Sequence, residues 1–273
     1  MKYLDLTLPT PEENLACDEA LLDHAEAGEG DEVLRFWEPH QHFVVLGYAN
    51  KVATEVDVPA CAEARVPILR RCSGGGTVLQ GPGCLNYALV LRIDDRMRGI
   101  GLANLAIMTR HQQALTQALS QTVVVKGVTD LTLAERKFSG NSQRRRQHFL
   151  LFHGTFLLYL DLALIERCLL PPTRQPDYRK DRPHTDFLVN LQLPAESIKQ
   201  ALRESWQASQ PLEHPPLQRL HTLWREKYTR AEWNLRFQAV REARRPALSS
   251  LAGSGPSKPG PPRRRQSPGI QAP

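Results

Sequence analysis

The sequence has no apolar run approaching the roughly 20 residues that a membrane-spanning helix needs. Its first residues also lack the apolar core of a secretion signal. No cysteines form a CxxC pair, no Cys or His spacing resembles a zinc site, and an odd number of cysteines cannot all pair internally. The five cysteines are Cys17, Cys61, Cys72, Cys84 and Cys168. We therefore expect free thiols, a reducing cytoplasmic location and no membrane partner.

Acidic residues are missing from the last thirty positions. Residues 244–273 carry six Lys or Arg and no Asp or Glu, and the whole chain has a net charge of +6. Residues 1–243 therefore sum to zero. A neutral body without interleaved aromatic residues argues against a nucleic-acid partner. From Pro246 onward the chain is Pro, Gly, Ser and Arg with few apolar residues, a composition that predicts disorder. We expect one folded domain over 1–243 and a disordered basic tail over 244–273.

Helical and extended patterns alternate irregularly along the body. Thr10, Pro11 and Glu13 read as a helix cap, a first-turn proline and a capping-box glutamate, which predicts a helix to about residue 24. Further helices are predicted over 57–65, 103–120, 161–169, 195–208 and 216–228. Strands are predicted over 33–37, 42–47, 67–71, 85–93, 123–125 and 149–159. The order favours an α+β fold with a central, mainly antiparallel sheet flanked by helices.

The first candidate site segment is a run of three glycines after a predicted strand. Gly74, Gly75 and Gly76 follow Arg70 and Arg71, so a ligand can approach the backbone and successive N–H groups can cradle an anion. The segment is not a GxxxxGK[ST] phosphate loop. A tight turn would normally need only one or two glycines, and the third favours ligand approach.

The second candidate segment carries Lys137, after an expected hairpin and before Ser139-Gly140-Asn141, which reads as a turn. A lysine can follow an oxygen as bonds are exchanged, although a lysine beside an arginine is more often solvated. Asp130 could hold Mg²⁺ through one carboxylate, or simply form a turn. His153 lies in an apolar strand, where a core role is more common, and Gly154 indicates a close approach by a ligand or another backbone.

These segments together resemble the superfamily of lipoate–protein ligases, biotin ligases and octanoyltransferases. The matching motifs are Arg70-Arg71-x-Ser73-Gly74-Gly75-Gly76-x-Val78 with Asn86-Tyr87, and Asp130-Leu131, Arg136-Lys137-x-Ser139-Gly140-Asn141 and His153-Gly154-Thr155. Residues 14–20 resemble the opening helix of the lipoate branch, and residues 226–234 resemble the close of its catalytic domain. The resemblance covers about residues 1–237 and implies the class II aminoacyl-tRNA synthetase or biotin synthetase-like fold.

The resemblance also implies a two-step reaction. Lipoate or octanoate reacts with ATP to give an acyl-adenylate, and a lysine of a lipoyl domain then attacks it to form an amide. ATP and Mg²⁺ would be co-substrates, with no permanently bound cofactor. The acceptors would be lipoyl domains of 2-oxoacid dehydrogenase E2 proteins or glycine-cleavage H-type proteins.

The same resemblance assigns residue roles. Lys137 would contact the acyl carbonyl and the α-phosphate, Arg70 would steady the phosphate end, and Asp130 would be the Mg²⁺ ligand. Further substrate or ATP-binding positions would be Ser73, Gly74, Gly75, Gly76, Thr77, Asn86, Ser139, Gly140, His153 and Gly154.

Two departures leave alternatives open. Many bacterial lipoate ligases continue into an accessory domain where this chain has its basic tail, so a separate accessory subunit is one alternative. Octanoyltransferases of the superfamily use a cysteine nucleophile without ATP, and Cys168 lies near, but not at, the expected place. A non-catalytic carrier-binding homologue is the third alternative, against which Lys137, Asp130 and the three glycines argue together. Biotin ligation is disfavoured by residues 14–20 and by the His153-Gly154 strand.

Overall fold

The computed structural model describes residues 1–172 and 174–237, so the predicted tail over 244–273 lies outside the described residues. Within these ranges the chain forms eleven strands and nine α-helices. The strands are β1 (Lys2–Asp5), β2 (Val33–Trp37), β3 (Phe43–Leu46), β4 (Ile68–Arg70), β5 (Val78–Gln80), β6 (Cys84–Arg92), β7 (Val124–Lys126), β8 (Asp130–Leu133), β9 (Arg136–Arg145), β10 (Phe149–Leu157) and β11 (Gln210–Pro211).

The helices range from one to five turns. They are α1 (Pro11–Glu26), α2 (Val52–Glu55), α3 (Val58–Glu63), α4 (Ile100–Leu119), α5 (Leu162–Cys168), α6 (His184–Phe187), α7 (Ala195–Ser205), α8 (Leu217–Leu223) and α9 (Ala231–Asn234). Short 3₁₀ turns occupy Asp95–Met97 and Asp177–Arg179, and a π-turn continues α8 over Trp224–Tyr228. Along the described part, no helix is long and apolar enough to cross a membrane.

Helix α1 begins as its sequence predicts. The Thr10 hydroxyl accepts from the Glu13 N–H at 3.2 Å, and the Glu13 carboxylate accepts from the Thr10 N–H at 2.9 Å. Two backbone donors at the helix start are therefore satisfied, as in a capping box. The predicted cap and helix are confirmed.

Two sheets organise the fold. The larger has the strand order β11-β1-β2-β6-β10-β9-β8-β7, and the smaller has the order β4-β3-β5. In the larger sheet only the pairings of β1 with β2 and β11 are parallel. The predicted α+β architecture with a mainly antiparallel sheet is confirmed.

The two faces of the larger sheet are covered by different helices. Side chains of α4 and α7 pack with one face in a first apolar cluster, and α1 and α8 pack with the other face in a second. A third cluster joins the smaller sheet to α3, α5 and α6. The sheet face shared by the second and third clusters carries the site described below.

Strand β9 differs from the sequence prediction. Ser139-Gly140-Asn141 was expected to form a turn, but these residues lie within a ten-residue strand. That strand pairs with β10 on one side and β8 on the other, so its backbone groups are satisfied by long-range partners. The prediction of a turn is wrong because tertiary pairing outweighs the local preference of Ser, Gly and Asn.

Candidate active site

Both candidate segments line one cavity of about 290 Å³. The glycine turn contributes Gly76 and Thr77, and the second segment contributes Lys137 and Asp130. Apolar side chains from β10, α5, α6 and the segment after α5 line another part of the same cavity. They are Leu157, Ile165, Leu169, Leu170, Phe187 and Leu188. The cavity thus joins a charged region to an apolar one, which suits a molecule with an apolar chain and an anionic end.

Arg71 stabilises the glycine turn by hydrogen bonds to its backbone carbonyls. Its Nη2 atom donates to the carbonyl oxygens of Gly74 at 2.5 Å and Gly76 at 2.7 Å. In a trans peptide the C=O and the next N–H point in opposite directions, so the N–H groups of Gly75 and Thr77 point away from Arg71. Neither N–H donates to another group among the described residues. Outward-facing N–H groups of this kind form an anion cradle.

The three positions of the turn are occupied by glycine for different structural reasons. Gly75 has a φ of +85°, a conformation that L side chains rarely adopt. Gly74 and Gly76 have no such constraint, and a Cβ atom at either would meet nothing within 4 Å. Of the three, Gly76 lines the cavity. The turn alone therefore requires one glycine, and the other two leave the backbone accessible.

Arg70 does not take the role expected from the sequence. Its side chain is fully buried and donates to the carbonyl oxygens of Gly47, Tyr48, Asn50, Trp233 and Arg236. Arg70 is absent from the cavity lining, whereas Arg71 belongs to it. The expectation that Arg70 steadies a phosphate is corrected: its donors bind backbone carbonyls, and Arg71 supports the turn. Burial lowers the pKa of Arg71 to about 10, so it keeps its charge at neutral pH.

Lys137 forms an ion pair at the cavity wall. Its Nζ atom lies 2.7 Å from Asp130 Oδ1, and the Tyr178 hydroxyl donates to Asp130 Oδ2 at 2.8 Å. Burial, with the Asp130 carboxylate as a smaller cause, raises the pKa of Tyr178, which keeps the hydroxyl protonated as a donor. Gly140 makes room for the ammonium, because a Cβ atom there would lie 2.8 Å from Lys137 Nζ.

A buried hydrogen-bonded chain runs beneath the glycine turn. Ser73 Oγ lies 2.5 Å from His153 Nε2, and His153 Nδ1 lies 3.3 Å from Asp18 Oδ2. Arg35 donates to Asp18 Oδ1 at 2.5 Å and to Asn14 Oδ1 at 2.6 Å. All of these side chains are buried, while His153 and Asp18 also line the cavity. The chain fixes the orientation of the His153 ring at the cavity wall.

The other predicted positions divide into two groups. The cavity lining includes Asn86, Ser139, Gly140, His153 and Gly154. Ser73, Gly74 and Gly75 lie outside the lining, in the turn and the hydrogen-bonded chain that support it. The close approach inferred at Gly154 comes from the neighbouring strand, where Gly140 O would lie 2.8 Å from an added Cβ atom.

Three site residues were not selected from the sequence: Arg71, Asp18 and Tyr178. Asp18 carries a signal, because it lies on the same helical face as Asn14 and Leu15, and all three are buried in α1. A carboxylate on a buried face needs a partner. Tyr178 lies in a 3₁₀ turn far along the chain from Asp130, and nothing in the sequence connects the two.

The cysteines take no part in the cavity wall. All five are buried, and none belongs to the cavity lining. Cys168 is 0% exposed at the end of α5, where its carbonyl oxygen lies 3.6 Å from Cys61 Sγ. Burial raises the pKa of the Cys168 thiol, which opposes the thiolate that a nucleophile requires. The placement of Cys168 as a candidate nucleophile is therefore not supported by this geometry.

The sequence matches the pattern of one known protein family. The sequence pattern described as the lipoyl protein ligase A/B catalytic domain matches residues 10–208. The chain belongs to this family. The match contains α1, both candidate segments and the whole cavity lining.

Individual relatives carry two different names. The chain is 29% identical over 210 residues to the putative lipoate-protein ligase A of Aeropyrum pernix, covering 77% of this chain and 76% of the relative. It is 30% identical over 185 residues to the octanoyltransferase LipM of Carboxydothermus hydrogenoformans, covering 62% of this chain and 68% of the relative. The chain is thus an enzyme of the lipoate ligase and transferase family, and these names leave the choice between the two activities open.

Solved structures share the fold. A bi-partite lipoate protein ligase of Thermoplasma acidophilum, from a structural analysis of that ligase and its E2 lipoyl domain, has a TM-score of 0.72 at 22% identity and covers 87% of this chain and 97% of its own. A lipoate-protein ligase A bound with ATP has a TM-score of 0.71 at 22% identity, covering 87% of this chain and 100% of its own. The predicted lipoate ligase fold is confirmed.

Proposed function

We propose that this protein is an ATP-dependent lipoate–protein ligase, which activates lipoate or octanoate as an acyl-adenylate and transfers the acyl group to a lysine of a lipoyl domain. One observation carries the proposal: Lys137 and Thr77, whose backbone N–H has no partner among the described residues, border one cavity that no thiol lines. This arrangement suits chemistry on a phosphate and a carboxylate better than thioester exchange.

The first step joins two anions, so developing negative charge has to be neutralised. An acid oxygen attacks the α-phosphorus of ATP, and pyrophosphate leaves. The N–H groups of the glycine turn would hold phosphate oxygens, while Lys137 moves from Asp130 to the reacting oxygens. Lysine suits this task because a flexible stem carries its charge.

Mg²⁺ would enter with ATP. Among the described residues no cluster of three or more His, Cys, Asp or Glu side chains could hold a metal by itself. A single carboxylate with phosphate and water is a common Mg²⁺ environment, and Asp130 offers one carboxylate at the cavity wall. Its Oδ1 atom becomes available when Lys137 moves to the substrate.

In the second step a lysine amine of the acceptor attacks the acyl carbon, and AMP leaves. The similar Thermoplasma acidophilum ligase belongs to a lipoylation system that includes its E2 lipoyl domain. That likeness supports lipoyl domains as acceptors here, and we propose both the E2 and the H-protein kinds. A separate accessory subunit remains part of the proposal for this chain.

An octanoyltransferase is the second candidate, because relatives named octanoyltransferase LipM match the chain at similar identity. Such a reaction would need no ATP but would need a reactive cysteine. Burial raises the pKa of Cys17 to about 11 and of Cys61, Cys72 and Cys84 to about 12, and it also raises the pKa of Cys168. The thiols therefore support the ligase over the transferase.

One experiment separates the two candidates. A purified lipoyl domain is incubated with the enzyme and either lipoate plus Mg-ATP or octanoyl-carrier protein without ATP, and its intact mass is measured. We expect acylation only in the first reaction. Product only in the second would establish the transferase, and failure of both, together with no ATP-dependent adenylate, would contradict the proposed function.

A further inference from the structure

Three polar side chains from three strands, two of them buried and one partly buried, form a hydrogen-bonded chain in the cavity wall. Gln80 Nε2 donates to Thr155 Oγ1 at 2.7 Å, and Thr155 Oγ1 donates to Asn86 Oδ1 at 2.5 Å. Gln80 lies on β5, Asn86 on β6 and Thr155 on β10, and all three line the cavity. Strands of both sheets therefore build this chain at one place.

The chain leaves one donor and one acceptor unused. A threonine hydroxyl has a single proton, so accepting from Gln80 and donating to Asn86 couples the orientations of the two amides. Asn86 Nδ2 and Gln80 Oε1 then have no partner among the described residues, and Asn86 is only 2% exposed.

Unused polar atoms concentrate at this cavity. Seven buried side-chain polar atoms lack a partner within the described ranges, and four of them belong to residues of the cavity lining. They are Trp37 Nε1, Thr77 Oγ1, Gln80 Oε1 and Asn86 Nδ2. Buried polar groups are normally paired, so this concentration indicates that a bound molecule supplies the missing partners.

The register brings the unused Asn86 donor towards Lys137. Asn86 pairs with Thr155, and Thr155 pairs with Gly140, so the three lie in one row across β6, β10 and β9. The Lys137 ammonium lies over Gly140 at one end of the row, and Asn86 leans towards Thr155 from the other. Strands are about 4.8 Å apart, so the Lys137 ammonium and the Asn86 side chain lie on opposite sides of Thr155 in this row.

We propose that Asn86 Nδ2 is a second donor to the acyl group, binding the carbonyl oxygen while Lys137 holds the phosphate side, and that Thr155 and Gln80 are positioning residues for Asn86. This inference rests on the proposed ligase function. It makes Asn86 a catalytic residue that stabilises charge on the carbonyl oxygen.

Asn86 would act in the second step, in which the acyl group passes to the acceptor amine. The lone pair of the acceptor amine forms the C–N bond, and the carbonyl π pair moves to oxygen, where the Asn86 N–H meets the new charge. The pair then re-forms the carbonyl and breaks the bond to the phosphate oxygen, so AMP leaves with those electrons. The proton of the former amine passes to water.

The test compares Asn86→Ala and Asn86→Asp with wild type, using lipoate, Mg-ATP and a purified lipoyl domain. Asn86→Asp keeps the side-chain shape but removes the donor. Both variants should lower kcat by about 10²- to 10³-fold, the effect of losing one such donor. The KM for lipoate should change much less, because the interaction strengthens as charge develops. Asn104→Ala is the matched control, since Asn104 is a buried asparagine outside the cavity lining.

Thr155 variants test the positioning role. Thr155→Val removes the hydroxyl that orients Asn86 and should lower kcat by about 10- to 100-fold, as expected for a misplaced group. Thr155→Ser should recover most of that loss. The double variant with Asn86→Ala should be no slower than Asn86→Ala alone, because both changes act through one donor.

The inference would be overturned if folded Asn86→Ala or Asn86→Asp kept a kcat within about threefold of wild type. An increase in KM with unchanged kcat would overturn it as well. Melting curves identify any variant that fails to fold, and Asn86→Asp then replaces Asn86→Ala. If the wild-type enzyme forms no acyl-adenylate from lipoate and ATP, the proposed function itself fails, which distinguishes the two failures.

Discussion

The backbone N–H of Arg70 donates to Asn234 Oδ1 at 3.0 Å, which joins the strand before the glycine turn to helix α9. Trp233 Nε1 also donates to Arg70 O at 2.9 Å, and Asn234 Nδ2 donates to Tyr228 O at 2.7 Å. The segment over residues 228–237 therefore supports the strand that leads into the anion cradle. The supporting residues are more than 150 positions from Arg70 in the sequence.

Asn234→Ala should destabilise the protein by about 1–3 kcal/mol, because it leaves the buried Arg70 N–H and Tyr228 carbonyl without that partner. Urea unfolding measures this loss. The matched control is Glu232→Ala, an exposed residue of the same helix, which should change stability by no more than about 0.5 kcal/mol. Equal effects of the two substitutions would contradict the role assigned to Asn234.

Lys137→Ala should reduce the rate of lipoate transfer by about 10²-fold or more, the scale of losing a charged donor at the reacting oxygens. Because the ion pair with Asp130 is partly exposed, its loss should cost no more than about 1 kcal/mol of stability. Lys126→Ala is the control: Lys126, on β7 of the same sheet, pairs with Glu135 and lies outside the cavity lining. A large stability loss with retained activity would contradict a catalytic role for Lys137.

Gly140→Ala should separate activity from stability. The added Cβ atom would lie 2.8 Å from Lys137 Nζ and 2.9 Å from Cε, so the flexible end of the lysine must move while the strand remains paired. We expect a rate loss of about 10- to 100-fold from the misplaced ammonium, measured by steady-state transfer assays alongside melting curves. Gly101→Ala, where the new atom would meet nothing within 4 Å, should leave the rate unchanged.

Cys168→Ala should retain ATP-dependent transfer, because the thiol is buried and its raised pKa disfavours the thiolate. The measurement is acylation of a lipoyl domain with each of the two acyl donors. Cys61→Ala, which changes the neighbouring buried thiol, controls for packing. Selective loss of transfer from octanoyl-carrier protein in Cys168→Ala would instead favour the transferase.

His111 should make the fold sensitive to acid. Burial, with Arg110 as a smaller cause, lowers its pKa from 6.5 to about 3, and Trp206 Nε1 donates to its Nε2 atom at 2.9 Å. As the pH falls below 6.5, the unfolded chain takes up a proton that the folded protein does not, so stability falls until about pH 3. This loss is about 1.4 kcal/mol per pH unit.

The variant His111→Gln keeps an acceptor for Trp206 but does not titrate. Its free energy of unfolding should decline less steeply with acid than that of wild type, as measured by urea titrations at several pH values. His184, whose pKa burial lowers to about 4, is present in both proteins and does not affect the difference. Parallel curves would show that His111 is not responsible.

Local signals predicted the elements whose stability is local. The Thr10 and Glu13 cap predicted α1, and runs of β-branched, aromatic and other apolar residues predicted β2, β3 and β10. Strand β9 was missed beyond Lys137, because its polar sequence acquires strand geometry only through pairing with β8 and β10. The short strands β1 and β5 were likewise not predicted.

The candidate site could be predicted at positions where the residue types themselves indicate a chemical role. Three consecutive glycines and Lys137 identified two walls of the cavity. Adjacent arginines could not be assigned, since neighbouring residues of a strand point to opposite faces and the pattern does not say which face is the site. In the structure Arg71 supports the cradle, while Arg70 binds backbone carbonyls. This division of roles becomes visible only when residues 233–236 are packed against Arg70.

The larger sheet ends on each side in a very short strand. Strand β11 has two residues, one of them Pro211, and β7 has three, ending in Lys126. Proline offers no N–H and lysine carries a charge that resists close pairing, so neither border gives another chain a long template. Concentrated solutions should accordingly resist edge-to-edge association, and the flat border common to amyloid-forming sheets is missing from both of these strands.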